Sequence, residues 1–167
     1  MDRKPRHKRM YVMWGVALTL LVVTAVLCWT VVVPVMQVRT ALIRRWSFNE
    51  YRLGRDQCEP VIEALGGEVE AARKLRLYLR IPCTDKDDRR LVVHILGVCG
   101  QPAVEPLLGL LHDEDKEVRK FAAQYVGVRG GREAVGRLTV LLKDDDPEVR
   151  YAATQSLDQI ERRLAVR

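Results

Sequence analysis

A segment in the second half of the chain occurs twice, with an offset of 31 residues. Residues 103–122 and 134–153 share an initial Ala-Val, a Leu-Leu pair, an acidic turn, a Val-Arg pair and a later alanine. A repeat period between about 20 and 50 residues is typical of stacked supersecondary units, because one unit alone cannot bury its apolar face. This part of the chain is therefore predicted to fold as a row of similar units.

Each unit is predicted to contain two helices joined by an acidic turn. In the middle unit Leu107 and Leu111 follow the period of a buried helix face, about 3.6 residues. In the last unit Asp146-Pro147 is an N-cap followed by proline at the first helical position. A more divergent unit precedes these two with an offset of 30, and a helix over Cys58–Leu65 precedes that unit. The units cover about 68–100, 103–131 and 134–162 of a domain at 57–167.

The predicted fold class is all-α, and one transmembrane helix precedes the repeats. Residues 10–38 contain no charged side chain, and 23 of these 29 residues are apolar. The hydrocarbon core of a bilayer is about 30 Å thick and needs about 20 apolar residues in a helix, so Tyr11–Val33 is long enough to span it. Trp14 and Trp29, like Tyr11, lie near the ends of the span, where aromatic rings favour the interface.

A cleaved signal peptide is the alternative for this segment. The first ten residues carry five Lys or Arg side chains and would suit a charged leader. However, the apolar stretch exceeds the 7 to 15 residues, roughly, of a signal peptide's apolar region, and no small-residue cleavage site follows it. We therefore expect an uncleaved anchor, with residues 1–10 as a basic cytoplasmic tail and the repeats on the non-cytoplasmic side of the cell membrane. The opposite orientation stays open, because five arginines follow the span within residues 39–55.

The positive charge of the chain belongs to the flanks of the span. The net charge is +6, yet residues 56–167 hold 18 basic and 20 acidic side chains. Lys and Arg beside a span are attracted to anionic lipid by about 1 kcal/mol each. A nucleic-acid-binding domain would carry a basic face, so nucleic acid is not expected as a partner.

The basic juxtamembrane segment, residues 34–56, has two alternative interpretations. Val38, Leu42, Trp46 and Leu53 lie roughly on one helical face. Such a face is typical of a helix that lies on the membrane surface. The alternative is a helical stalk that continues from the span.

The repeat pattern resembles a known family. Ala-Val-x-x-Leu-x-x-Leu-Leu, then Asp-x-Asp-x-x-Val-Arg-x-x-Ala-Ala, then Val-Gly, resembles HEAT repeats, in the bacterial form called phycobilisome-lyase-like, over about residues 68–162. The resemblance implies an α-solenoid whose second helices line the concave side. It also implies that Asp and Arg six residues apart tie neighbouring units together, as in Asp113/Arg119 and Asp144/Arg150. In the first unit Cys83 stands in place of the Asp beside Arg89, so the ladder is expected to be incomplete there.

Two columns of side chains on the second helices form the hypothesis for a partner-binding surface. If the HEAT register holds, both columns face the groove. One column contains His94, Gln124 and Gln155, and the other contains Arg90, Lys120 and Tyr151. The alternative is a solvent-facing surface without a partner.

No catalytic, metal or cofactor residues are predicted. His112 lies in an acidic turn, but Lys143 replaces it in the next unit, which favours a solvated capping turn. The chain has no His-Glu dipeptide, as HEAT-type di-iron hydroxylases have, and nothing local marks a bilin pigment site. Cys58, Cys83 and Cys99 allow one disulfide, whose pairing cannot be read from sequence.

The resulting expectation is a membrane-anchored HEAT-like adaptor or scaffold that binds a protein through the groove of its second helices, without a cofactor. The alternative is a lyase-like or regulatory enzyme subunit that uses His94 and its neighbours. Ile160, Leu164 and Val166 follow the last recognisable unit without an added capping helix. That end of the stack is therefore expected to dock a partner or a second copy of the chain.

Overall fold

The chain is all-α over the residues that the computed structural model describes, which are 18–26, 28–45, 55–81 and 85–166. This confirms the predicted fold class. A 3-10 turn at Gln101–Ala103 precedes α5, and a π-helical turn at Cys28–Val32 precedes α1. The helices numbered α1 to α8 are Val33–Arg45, Arg55–Ala64, Glu68–Tyr78, Lys86–Val98, Val104–Leu110, Lys116–Arg129, Arg132–Leu141 and Pro147–Ala165.

The second helix of each repeat begins at one N-cap aspartate. The side chain of Asp85 accepts a hydrogen bond from the backbone N–H of Asp88, at 2.8 Å. Asp115 and Asp146 each accept one from the backbone N–H two residues on, at 2.9 Å. These bonds satisfy donors that have no partner inside the helix. These three caps, of which Asp146 was predicted from the sequence, therefore set where α4, α6 and α8 start.

The repeats form a row of helical hairpins, α3/α4, α5/α6 and α7/α8, with α2 as the leading helix. The second helices α4, α6 and α8 pack side by side and provide most of the contact between units. Two glycines permit this approach. A Cβ on Gly97 would lie 2.4 Å from the ring of Tyr125, and a Cβ on Gly127 would lie 2.8 Å from the backbone of Ser156.

One continuous apolar core runs through all the units. Its members come from both helices of each hairpin, so no unit buries its apolar face without its neighbours. Among the largest fully buried side chains are Leu75, Leu96, Leu107, Leu111, Leu138 and Ile160.

An apolar helix precedes the repeats. The helix Leu18–Thr40 is long and apolar enough to cross a bilayer. Of the anchor residues inferred from the sequence, Trp29 has 76% of its surface exposed and Val33 begins α1. Tyr11 and Trp14 lie outside the described residues.

Helix α1 continues directly from the apolar segment and packs on the repeats. Its main contact is with α3, and it also touches α2. Pro34 is buried and Val38 is fully buried, so both side chains lie in the contact with the domain. Residues 33–45 are therefore one helix packed on the domain, and the choice between a stalk and a helix on the membrane surface stays a prediction. Trp46 and Leu53 lie outside the described residues.

Candidate functional site

Ion pairs tie neighbouring units together on the side of the acidic turns. Arg119 pairs with both carboxylate oxygens of Asp144 in the next unit, at 2.8 and 2.9 Å. Arg89 pairs in the same way with Asp113, at 2.9 Å. Within its own unit, Arg119 donates to the backbone carbonyl of Asp113 at 2.9 Å, not to its carboxylate. The hydrogen bond from Arg119 lowers the pKa of Asp144.

The first and last units differ from the middle unit in this ladder. The first unit supplies Arg89 to the ladder, whereas Cys83, which replaces its aspartate, lies outside the described residues. In the last of the described units, Arg150 donates to the carbonyls of Asp144 and Asp145 at 2.7 and 2.9 Å. These pairs hold the stack together and are structural.

Two basic residues of the proposed binding surface are engaged in a second set of ion pairs. Arg90 pairs with Asp115 at 2.6 Å, and only 21% of its side chain is exposed. Lys120 lies between Glu117 and Glu148, at 2.7 and 2.8 Å from their carboxylates. Both cations therefore bridge adjacent second helices, and each presents little free surface to a partner.

His94 is buried, which corrects the expectation that it lies on the groove surface. Only 4% of its surface is exposed. Its ring centroid lies 4.4 Å from that of Phe121, and its Nδ1 lies 3.0 Å from the hydroxyl oxygen of Tyr125. Burial lowers the pKa of His94 to about 4, although the charge of Glu117 acts against this shift. His94 is thus a neutral core residue under an aromatic cover.

The equivalent position in the next unit is open. Gln124 is exposed because Ala152 and Ser156 occupy the places that Phe121 and Tyr125 hold over His94. A depression of about 510 Å³ lies beside Gln124, between α6 and α8. Its lining residues are Lys120, Phe121, Gln124, Pro147, Glu148 and Tyr151.

This depression brings together part of the proposed surface. Tyr151 has 68% of its surface exposed, and Gln124 lies beside it in the lining. Gln155 is exposed one helical turn after Tyr151. Phe121 is half-buried, and the ammonium of Lys120 lies 5.0 Å from the centre of its ring. The site is therefore an aromatic and amide surface with a charged edge.

Sequence reasoning missed Phe121, Pro147 and Glu148 as members of this site. The sequence signal that could have found the opening is the change from Phe121 and Tyr125 to Ala152 and Ser156 at the equivalent positions of the next unit. Large residues at those positions fill the space between two second helices, and small residues leave it empty. The comparison of side-chain size between units therefore locates the opening.

Elsewhere in the described residues, the His, Cys, Asp and Glu side chains form no metal site. Over residues 18–26, 28–45, 55–81 and 85–166, no group of three His, Cys, Asp or Glu side chains is placed to hold a metal ion. His112 is exposed in the turn before α6. Cys58 and Cys99 are buried, and burial raises the pKa of Cys99 to about 12.

The comparison with known families agrees with the repeat architecture. The family model for HEAT repeats matches residues 72–158, which is just over half of the chain. No curated protein and no solved structure matches the chain significantly. The matched range includes the three capping aspartates, the ion-pair ladder and the two close-packed glycines. By its repeats, the chain belongs to the HEAT-repeat family.

Proposed function

We propose that this chain is a single-pass, membrane-anchored HEAT-repeat scaffold that binds a protein partner at the depression between α6 and α8. The observation that carries the proposal is the open space beside Gln124, where the neighbouring unit has an aromatic cover. The partner-binding residues are then Phe121, Gln124, Tyr151 and Gln155. Arg90 and Lys120 act by holding the helices at the correct separation.

The composition of the depression suits a protein ligand. Exposed Tyr151 and half-buried Phe121 offer aromatic area, and Gln124 and Gln155 offer amide groups. Interface centres are enriched in aromatic residues and depleted of free charge. Here Lys120 pairs with both Glu117 and Glu148, at 2.7 and 2.8 Å, so these charges are paired and leave one net negative charge at the edge of the site.

The exposed surface of the apolar helix supports the proposal of membrane anchoring. The side chains of Leu18, Leu20 and Leu21 are each more than 60% exposed. Contact with water makes such a surface unfavourable by about 25 cal/mol per Å², and lipid removes this cost. We keep the orientation inferred from the sequence, with the basic N-terminal tail in the cytoplasm and the repeats on the other side. Confinement to the membrane raises the local concentration, so modest affinity suffices for capture.

The proposal contains no catalytic step. The finer resemblance to the phycobilisome-lyase-like form rests on the repeat unit alone, and His94, the residue central to a lyase-like alternative, is neutral and buried. Binding is therefore the activity that the geometry of the depression favours.

Site-specific photocrosslinking in native membranes tests the proposal. A photoreactive amino acid replaces Tyr151 in one variant of the full chain, and Val140, which is 60% exposed on α7, in the control. We expect one major protein adduct from position 151 and none from position 140. Gln124→Arg should abolish that adduct, because it places a charge in the centre of the site. Equal labelling from both positions, or an adduct that survives Gln124→Arg, would contradict the proposal.

A further inference from the structure

The exposed face of α3 carries a stripe of arginines. Val69, Arg73 and Arg76 are exposed with spacings of four and three residues, and Arg80 follows four residues later in the next turn. Residues at these spacings share one helix face. The buried residues of α3, which include Ala71 and Leu75, face the core. The helix and the turn that follows it therefore present three exposed guanidinium groups, those of Arg73, Arg76 and Arg80.

These arginines differ from those of the inter-unit ladder. Arg89 and Arg119 are each paired with a carboxylate of the next unit. Over the described part of the chain, Arg76 and Arg80 pair with no carboxylate, and Arg73 pairs only with exposed Glu70, at 2.8 Å. The stripe thus has positive charge available for an external anion.

The packing of α1 brings α3, the helix that carries most of the stripe, next to the segment that follows the apolar helix. Val38 is fully buried where α1 meets the domain, and Arg39 beside it is exposed. The charge of Arg39 acts on Tyr78 of α3 and opposes the rise in the pKa of that phenol, whose main cause is burial. A helix rises about 1.5 Å per residue, so Arg39 lies about 9 Å beyond Val33. This distance is close to the Debye length at physiological salt, which is about 8 Å.

We propose that Arg73, Arg76 and Arg80, together with Arg39, bind anionic lipid headgroups of the membrane that holds the anchor. The proposal rests on the membrane anchoring proposed above. Because α1 packs directly on α3, headgroup contact by the stripe sets the tilt of the whole repeat stack over the bilayer. The depression between α6 and α8 is then held at a defined orientation to the membrane.

Lipid quenching on the full chain tests this assignment. A fluorophore is attached at Val69→Cys, which lies on the same face as the arginines, in a chain where Cys28 and Cys83 are replaced by serine. The chain is reconstituted into vesicles of phosphatidylcholine, or of equal parts phosphatidylcholine and phosphatidylglycerol, with a nitroxide-headgroup lipid as quencher. The test variant is Arg73→Gln/Arg76→Gln/Arg80→Gln. The control variant, Arg132→Gln/Lys143→Gln/Arg162→Gln, removes three exposed basic residues from the far end of the stack.

We expect strong quenching only with phosphatidylglycerol, reversed by high salt. In the test variant, the affinity of this face for phosphatidylglycerol should fall about 100-fold, because each arginine near such a surface contributes about a factor of five. Its quenching should be correspondingly weak. The control variant should behave like the parent chain. Quenching that is equal in both lipids, or unchanged in the test variant, would overturn the assignment. Flotation with neutral vesicles at high salt separates the two proposals. Loss of flotation would contradict membrane anchoring. Retained flotation with quenching that does not depend on the lipid would contradict only headgroup binding by the arginines.

Discussion

The two ends of the repeat stack are closed in different ways. At the leading end α1 lies across α3, and Val38 of α1 is fully buried. At the trailing end nothing in the described part of the chain covers α7 and α8. Val140 and Leu142 are 60% and 38% exposed there. The leading end thus keeps an apolar face covered by the helix that continues from the apolar segment.

The trailing end is closed by a change of residues. Three positions that are buried in the middle unit are polar in the last unit, where Leu108, Ala123 and Gly127 are replaced by Thr139, Thr154 and Asp158. Terminal repeats need a polar outer face to remain soluble. The last described unit thus carries polar residues on its outer face, whereas the first unit is covered by α1. Docking of a partner or a second copy at the trailing end stays a prediction, and these polar replacements argue against it.

The largest expected effect is at the leading end. Val38→Asp places an unpaired carboxylate in the contact between α1 and α3 and should destabilise the leading unit by about 4 kcal/mol. Val140→Asp, a matched change at the exposed trailing end, should cost less than about 0.5 kcal/mol. Urea unfolding of the full chain in nanodiscs, followed by circular dichroism, measures both. Similar losses from the two variants would remove the distinction between the ends.

The ladder should matter more inside the stack than at its end. Arg119→Ala leaves Asp144 without its partner, and 8% of the Asp144 side chain is exposed, so we expect a loss of about 3 kcal/mol. Arg150→Ala removes only hydrogen bonds to the carbonyls of Asp144 and Asp145, worth about 1 kcal/mol. The same unfolding assay compares the two variants. An equal loss of stability from Arg150→Ala would contradict the claim that each ladder arginine pairs with the aspartate of the next unit.

Acid should loosen the leading unit before the trailing unit. His94 has a folded-state pKa of about 4 against an ordinary value of 6.5. As pH falls below 6.5, the unfolded chain gains a proton that the folded chain does not, so stability is lost between pH 6.5 and 4. At pH 5 the loss is about 2 kcal/mol. Amide exchange should rise in α4 but not in α8 as the pH falls. His94→Gln should remove this pH dependence. If the pH dependence persists in the variant, a group other than His94 causes it.

The smallest effect should come from restoring the middle unit's residues at the trailing end. Thr139→Leu/Thr154→Ala converts two polar positions to the apolar residues of the preceding repeat. We expect the parent chain to show one copy per micelle by light scattering, and this variant to associate at micromolar concentration. Parent and variant that associate equally would show that polarity at these positions does not close the end.

Much of this architecture follows from local pattern. The offset of 31, the acidic turns and the N-cap aspartates predict the helical hairpins, because each signal acts within a few residues. The burial of His94 could not be predicted from local pattern. Whether that face is open depends on Phe121 and Tyr125 of the next unit, which is a tertiary contact. The packing of α1 on α3 is likewise long-range, and the apolar period of α1 suits lipid and protein equally.

Amide hydrogen exchange tests the central claim most directly, by comparing the full chain in nanodiscs with a fragment of residues 50–167. The account expects α2 and α3 to lose most of their protection in the fragment, because α1 no longer covers them. Protection of α6 to α8 should stay unchanged, since the trailing units supply their own polar end. Equal protection of α2 and α3 in the two samples would contradict the account.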